Sequence, residues 1–192
     1  MRTGITGSEE QEDAARTRRS RQNGQTKEEQ ADAGKTRAQE EPGSRSVTVI
    51  RRMCIDDISA VYNLEQLCFT DPWSKDLLRQ GIEQDFDVFW VIEEAGELCG
   101  YANLRVIAGE GEIMRLAVHP FCRGRGYGRK LMEQMEAFSR ERGVSEVTLE
   151  VRAGNKTAIN LYESCGFVKE AVRGGYYREP VEDALILWKR GI

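Results

Sequence analysis

Apolar positions along the chain recur at two different periods, and each change of period marks the boundary of a predicted element. Alternating or continuous apolar runs predict strands, and apolar residues spaced three and four positions apart predict helices. The order β-α-α-β-β-β-α-β-α-β-β predicts an α/β domain of three layers, a mixed central sheet with helices on both faces. The predicted strands are 47–50, 87–93, 98–107, 112–118, 145–151, 167–172 and 183–188, and the predicted helices are 55–67, 74–78, 127–142 and 155–163.

Residues 1–46 lack both periods and contain no Phe, Trp, Tyr, Val or Leu. Such a segment cannot bury enough apolar surface to offset the entropy lost on ordering it. We therefore predict a disordered N-terminal extension over residues 1–46 and one folded domain over residues 47–192. The extension has neither the apolar region of a secretory signal nor the acid-poor composition of a transit peptide. No stretch of the chain reaches the roughly 18 apolar residues of a membrane span.

Charge and cysteine usage narrow the class of protein. The extension carries nine basic and nine acidic residues, so the net charge of −4 falls on the folded domain. A mildly acidic domain is a poor general nucleic-acid binder but suits a cationic peptide. The five cysteines follow no metal-ligand spacing, and His119 is the single histidine, which fits a turn before Pro120 better than a catalytic role. We expect reduced thiols, no metal, no membrane or direct nucleic-acid contact, and a cytoplasmic protein.

The stretch with the most chemical information joins strand 112–118 to helix 127–142 and reads Arg123-Gly124-Arg125-Gly126-Tyr127-Gly128-Arg129. A helix N-terminus presents unpaired N–H groups and a partial positive charge. Glycines allow a phosphate to approach the backbone, and the arginines add positive charge. The stretch therefore predicts a pyrophosphate site, although an ordinary glycine-rich connector remains an alternative. Its spacing fits neither the nucleoside-triphosphatase loop nor the dinucleotide fingerprint.

A second stretch, residues 149–167, reads L-E-V-R-A-G-N-K-T-A-I-N-L-Y-E-S-C-G-F. Together with the R-x-x-G-x-G spacing of Arg123, Gly126 and Gly128, it resembles the GCN5-related N-acetyltransferase (GNAT) superfamily. Within that superfamily, this pattern of residues is similar to that of the ribosomal-protein-alanine N-acetyltransferases, the RimI subfamily. The resemblance covers residues 47–189, whereas the extension has no counterpart in the short family members. Three further features agree with that subfamily: Asp71-Pro72-Trp73-Ser74, Tyr176-Tyr177 and Glu182-Asp183-Ala184.

The resemblance implies two catalytic residues. Glu150 would be the general base, and Tyr162 would serve the coenzyme A thiolate as acid or hydrogen-bond donor. Taken alone, Glu150 could be a solvent-facing strand residue, and Tyr162 could be a core aromatic. The task of the base is modest, because an α-amine has a pKa of about 7.7–8.0 and is partly neutral near neutral pH.

The resemblance also implies acetyl-CoA as co-substrate, without a metal. Leu116, Ala117 and Val118 would offer backbone groups to it, and Asn155, also a candidate helix N-cap, would reach it with its side chain. Candidate cofactor-binding residues of the loop are Arg123, Gly124, Arg125, Gly126, Tyr127, Gly128 and Arg129. Trp73, Tyr176 and Tyr177 are candidate walls of the peptide groove, and ordinary packing is the alternative for each.

The function implied by the resemblance is acetylation of the N-terminal alanine of small-subunit ribosomal protein number eighteen. Transfer would be direct, in a ternary complex, because Cys122 lacks the partner that a covalent nucleophile needs. Two alternatives stay open. One is a GNAT enzyme acting on other protein N-termini, lysines or small amines, and the other is a non-catalytic acetyl-CoA sensor. We expect a monomer or weak dimer whose partner is the N-terminal peptide of a basic ribosomal protein.

Overall fold

The computed structural model describes residues 47–192, and the predicted disordered extension over residues 1–46 lies outside the described residues. Each predicted strand and helix of this part is present, in the predicted order. The strands are β1 (Thr48–Arg52), β2 (Asp87–Glu94), β3 (Glu97–Ile107), β4 (Glu110–Val118), β5 (Glu146–Arg152), β6 (Val168–Arg178) and β7 (Val181–Arg190). The helices are α1 (Ile58–Cys68), α2 (Lys75–Ile82), α3 (Tyr127–Glu141) and α4 (Lys156–Ser164).

Strand β6 differs most from its prediction, which ended it at Val172. Two glycines, Gly174 and Gly175, follow shortly afterwards, and Gly175 adopts a φ of +60° that is typical of a turn. The pairing with β7 is irregular across this region and then resumes with Tyr177 opposite Glu182. The glycines therefore form an irregularity within the strand rather than its end.

The seven strands form one sheet in the order β1-β2-β3-β4-β5-β7-β6. Among residues 47–192, β4 and β5 are the one parallel pair, and every other neighbouring pair is antiparallel. A parallel pair requires a long crossover connection, which α3 provides between β4 and β5. The sheet is thus mixed, as predicted.

Helices cover both faces of the sheet, which confirms the three layers. On one face, α1 and α2 pack buried Leu64 and Leu78 against the sheet residues Val91 and Tyr101. On the other face, α3 and α4 contribute side chains such as Leu131 to a separate cluster. Each fully buried leucine contributes about 1.5–3 kcal/mol of transfer free energy. None of the helices described is long and apolar enough to cross a membrane.

A gap opens in the sheet where β4 and β5 diverge. Their parallel pairing runs from Glu110 opposite Glu146 only as far as Ile113 opposite Leu149. At that point the register of β4 against β3 shifts, because Met114 is one residue in excess between Ile113 and Arg115. Such a bulge bends and twists its strand. The last residues of β4 and β5 therefore face each other across a space without ladder hydrogen bonds.

Candidate active site

The glycine-rich loop, residues 123–129, follows a short turn after β4. His119 caps this turn by accepting a hydrogen bond at Nδ1 from the Phe121 amide over 3.3 Å, so it serves as a turn residue. Gly124 and Gly126 have φ values of +78° and +81°, a region that other residues enter only with strain. A Cβ placed on either glycine would have no neighbouring heavy atom within 4 Å. The space that a side chain would occupy at these two glycines is therefore open.

The third glycine of the loop has a different environment. Gly128 lies inside α3, and a Cβ at this position would lie 3.0 Å from Cδ2 of Leu161 on α4. Its lack of a side chain therefore allows α3 and α4 to pack closely. Gly126 is the N-cap residue of α3 and has no side chain with which to cap the first amides of the helix. Such amides are the groups that bind anions at helix N-termini.

The three arginines of the loop are each held by other parts of the chain. The Arg123 Nε donates to the Val118 carbonyl over 3.2 Å. Arg125 Nη1 lies 2.5 Å from a carboxylate oxygen of Glu94, so part of its charge is offset. Arg129 Nη2 donates to Ser164 Oγ over 2.7 Å and so ties the loop to the end of α4. These contacts keep positive charge beside the exposed backbone of the loop.

Tyr127 and residues 116–118 join this loop to the sheet. The Tyr127 side chain is buried in the core cluster of α3 and α4 and anchors the first turn of α3. Residues 116–118 pair with β3 along one edge, with Val118 opposite Gly100. Their other edge faces the gap, since pairing with β5 has ended at Ile113. On this edge the backbone of residues 116–118 has no ladder partner in β5.

Glu150 lies on β5 at the opposite side of the gap. Its side chain is 23% exposed, and its Oε1 lies 2.8 Å from Arg173 Nη1 on β6. A hydrogen bond with Glu150 is the main cause of a raised pKa at Tyr176. Glu150 is therefore paired and only partly exposed. The structure brings it close to Arg173 and Tyr176, two neighbours that the sequence did not predict.

Tyr162, on α4, is buried, and its ring lies 6.1 Å from the Phe167 ring, centroid to centroid. Burial is the main cause that raises the pKa of Tyr162 well above its ordinary value, and the neighbouring Tyr177 raises it further. The pKa of Tyr177 is in turn raised by its own burial and by the charge of Glu150. Tyr177 thus interacts electrostatically with both candidate catalytic residues. The Tyr162 phenol stays protonated near neutral pH and is a hydrogen-bond donor.

Asn155 is the N-cap of α4, as the sequence predicts. Its Oδ1 accepts a hydrogen bond from the Ala158 amide over 3.2 Å. This contact uses the carbonyl end of the side chain, whereas the NH₂ end is a separate donor. The cap therefore uses only Oδ1, and it does not exclude a contact between the NH₂ group and a ligand.

The loop that contains Trp73 is fixed by a buried carboxylate, Glu65, which sequence reasoning missed. Glu65 is fully buried, and it accepts hydrogen bonds from the Tyr101 hydroxyl and, over 2.6 Å, from the Trp73 amide. Burial raises the pKa of Glu65, and these hydrogen bonds partly oppose that effect. In the sequence, Glu65 is one of several polar residues of an amphipathic helix. No local pattern therefore distinguishes it from a solvated position.

Arg115, on β4, completes the support of this loop. Its Nε lies 3.5 Å from Glu65 Oε1, and its Nη2 donates to the Asp71 carbonyl over 3.1 Å. Its guanidinium lies over the rings of Phe69 and Trp73, at 4.7 and 4.4 Å from their centroids. Trp73 is half-buried and also packs edge-on against Phe89. Packing therefore accounts for part of its surface, and its place in the peptide groove stays a prediction.

The cysteines offer no nucleophile with a base beside it. Cys122 lies in the turn before the loop, with its sulfur 2.9 Å from the sulfur of Cys99. Burial raises the pKa of Cys99 to about 11, so this thiol stays protonated. His119 is engaged by the Phe121 amide as described above. Within residues 47–192, no group of His, Cys, Asp and Glu side chains has the arrangement of a metal site.

Comparison with known proteins relates this arrangement to a family. The profile of the Acetyltransferase (GNAT) family matches residues 58–167. A Bacillus subtilis (strain 168) protein, whose name proposes an alanine N-acetyltransferase of ribosomal protein bS18, is 32% identical over 145 residues, which cover 75% of this chain and 96% of that protein. The [ribosomal protein bS18]-alanine N-acetyltransferase of Escherichia coli (strain K12) is 34% identical over 133 residues, covering 68% and 89%.

The fold is also similar to solved structures. The crystal structure of the ribosomal-protein-S18-alanine N-acetyltransferase from Escherichia coli superposes with a TM-score of 0.71 and 31% sequence identity. The match covers 76% of this chain and 94% of that chain.

Proposed function

Because the chain belongs to the acetyltransferase (GNAT) family, we propose that it transfers the acetyl group of acetyl-CoA to the N-terminal alanine of ribosomal protein bS18. Family membership makes the protein an acyltransferase, and the names of its relatives suggest this acceptor. The observation that carries the proposal is the gap between β4 and β5. It has the open glycine loop beyond the end of β4 and Glu150, paired with Arg173, on β5.

At the donor end, the loop over residues 123–129 and the N-terminus of α3 would hold the pyrophosphate of acetyl-CoA. The open space beside Gly124 and Gly126 supports this assignment, because a side chain there would occupy the volume that a phosphate needs. The backbone of residues 116–118 would bind the pantetheine arm and the acetyl oxygen, and donors directed at that oxygen would stabilise the developing negative charge. Asn155 would add a side-chain contact.

At the acceptor end, Glu150 would take the proton of the attacking α-amine, directly or through one water. A partly neutral amine makes this a small task at neutral pH. The ion pair with Arg173 would hold the carboxylate in place. Trp73, Tyr176 and Tyr177 would border the first residues of the acceptor.

Tyr162 would act mainly as a hydrogen-bond donor to the sulfur of the leaving group. The burial that raises its pKa makes the phenol a weaker acid than an exposed tyrosine, so complete proton transfer to a thiolate is uphill. The amine would attack the acetyl carbonyl directly in a ternary complex. The lack of a paired cysteine nucleophile in the described residues supports transfer without a covalent acyl-enzyme.

Mass spectrometry of ribosomal proteins from a deletion strain tests the acceptor. We expect bS18 from the deletion strain to be lighter by one acetyl group, because its N-terminal alanine is not acetylated in the cytoplasm. Wild-type protein supplied on a plasmid should restore the mass, and the Glu150→Gln variant should not. If bS18 is acetylated normally in the deletion strain while other proteins lose acetyl groups, bS18 is not the acceptor and those proteins are.

A further inference from the structure

Two segments that are distant in the sequence border the acceptor end of the gap. We call residues 69–74, between α1 and α2, the loop wall, and residues 176–182, at the β6–β7 turn, the hairpin wall. The loop wall contains Trp73, and the hairpin wall contains Tyr176 and Tyr177. A side chain that joins the two walls across the gap would help to fix the width of the groove between them.

Arg152, the last residue of β5, contacts both walls. Its Nη2 donates to Thr70 Oγ1 of the loop wall over 2.7 Å. The same nitrogen donates to the Glu179 carbonyl of the hairpin wall over 3.2 Å, and Nη1 donates to the Pro180 carbonyl over 3.3 Å. One guanidinium group therefore joins a side chain of the loop wall to the backbone of the hairpin wall, and these two contact points are over a hundred residues apart in the chain.

Two further contacts fix the plane of this guanidinium. It lies over the Tyr177 ring, 4.1 Å from the centroid, and its Nη1 lies 3.2 Å from Glu182 Oε2. Glu182 in turn accepts a hydrogen bond from the Gly154 amide, just before the N-cap of α4. The Arg152 side chain is only 22% exposed, so these contacts are partly shielded from water.

The contacts suit an arginine and not a lysine. A guanidinium carries five N–H donors in a planar fork, whereas an ammonium is a compact point charge with three donors. A lysine at this position could keep the attraction to Glu182, but it could not reach Thr70 and both hairpin carbonyls at the same time. By contrast, Arg105 pairs with Asp87 directly opposite it on neighbouring strands, so that arginine joins only adjacent positions.

We propose that Arg152 is a positioning residue that holds the loop wall and the hairpin wall at a fixed separation, and so sets the affinity for the acceptor peptide. It acts through the walls and Tyr177 and does not touch the reacting atoms. That the groove receives a peptide rests on the proposed function. The tie between the walls does not, since it follows from the contacts of Arg152 alone.

Amide hydrogen exchange tests the tie without reference to activity. Arg152→Lys should raise exchange in both walls, at residues 70, 71 and 73 and at residues 177–179, and leave the amides of α3 unchanged. Arg140→Lys is the matched control, because Arg140 also pairs with a carboxylate, Glu136, but lies on α3 away from the groove. Thr70→Val removes one acceptor at an exposed position and should loosen the loop wall alone. Unchanged exchange in both walls of Arg152→Lys would overturn the inference.

Kinetics then test the role of the tie. Arg152→Lys should raise KM for an Ala-initiated peptide by about tenfold, equivalent to about 1.4 kcal/mol of binding free energy, with KM for acetyl-CoA and the melting temperature nearly unchanged. Equal rises in both KM values, or no rise for the peptide, would overturn the positioning role. If the wild-type protein acetylates no such peptide, the proposed function fails, and the exchange experiment still decides whether Arg152 joins the walls.

Discussion

At the proposed donor end of the gap the chain presents backbone groups and glycines, whereas at the proposed acceptor end it presents paired side chains. The donor end is nearly continuous in sequence, from residue 116 to residue 129, and its arginines are tied back to the protein. The acceptor end is assembled from Glu150 with Arg173, Glu65 with Arg115, and Glu182 with Arg152. In each of these pairs, the arginine also lies over an aromatic ring of a groove wall.

The difference has a chemical reason. The proposed donor ligand carries a pyrophosphate that is charged near neutral pH, and backbone amides at a helix N-terminus suit such an anion. An acceptor peptide must be oriented so that one amine reaches one carbonyl, and a displacement of about 1 Å can cost about 10²-fold in rate. Ion pairs that also pack on aromatic rings fix side-chain positions more firmly than exposed pairs do. Damage at the two ends should therefore have different kinetic signatures.

The largest effect is expected at Glu150. Glu150→Gln keeps the shape of the side chain and removes the base, so kcat should fall by about 10²–10⁴-fold. The deficit should shrink as pH rises, because the acceptor amine then loses its proton without help. Initial rates from pH 6 to pH 9 on an Ala-initiated peptide provide the measurement.

Glu146→Gln is the matched control for this prediction, since Glu146 lies on the same strand and pairs with Arg190 at its far end. Its kcat should stay near that of the wild type. Near-wild-type turnover by Glu150→Gln across the pH range would show that Glu150 is not the base.

Gly126→Val should damage the donor end alone. The substitution forces a β-branched residue into a φ of +81° and fills the space beside the loop. Affinity for acetyl-CoA, measured by calorimetry, should fall by about tenfold or more, equivalent to about 1.4 kcal/mol. KM for the peptide should stay nearly unchanged.

Gly143→Val separates strain from ligand contact, because Gly143 also has a positive φ, +68°, and open space around it, but lies after α3. It should lower the melting temperature without changing the affinity for acetyl-CoA. Equal affinity for acetyl-CoA in Gly126→Val and the wild type would show that the loop does not bind the pyrophosphate.

Tyr162→Phe should have a smaller effect on kcat, about fivefold, the scale of one hydrogen bond. The raised pKa of Tyr162 keeps the phenol protonated throughout pH 6–9, so its contribution should not vary over this range. The deficit of Tyr162→Phe should therefore be constant with pH, in contrast to that of Glu150→Gln. A deficit that grows steeply between pH 6 and pH 9 would contradict the donor role.

The smallest effect is expected from the N-terminal extension, which has no predicted role at either end of the gap between β4 and β5. Deletion of residues 1–44 should leave the melting temperature and the turnover nearly unchanged, since this segment has few apolar residues to bury. Differential scanning fluorimetry and steady-state rates provide the measurement. A fall of many degrees would mean that the extension packs on the domain.

The shape of the glycine-rich loop could be predicted from the sequence because its signals are local. Glycine spacing, an adjacent strand and an amphipathic helix specify the loop over residues 123–129 and its helix N-terminus. The N-cap role of Asn155 is a local signal of the same kind. The order of elements and the two helical faces also follow from periodicity, although the glycines at 174 and 175 concealed the second half of β6.

The acceptor end could not be predicted in the same way. Arg152 and Thr70 are 82 residues apart, and Arg173 reaches Glu150 from a strand that is not its neighbour in the sheet. Glu65 is buried although its position in α1 resembles a polar surface position. Such contacts depend on how distant elements pack, which no short pattern encodes. The bulge at Met114 that opens the gap is likewise visible only in the pairing of β3 with β4.

The most direct test asks whether the purified protein acetylates a free α-amine or a lysine side chain. An Ala-initiated basic peptide and an otherwise identical peptide with a blocked N-terminus, each containing one lysine, are incubated with acetyl-CoA and sequenced by tandem mass spectrometry. We expect one acetyl group on the α-amine of the free peptide and none on the blocked peptide. Acetylation of lysine in both peptides, or of neither peptide, would contradict it.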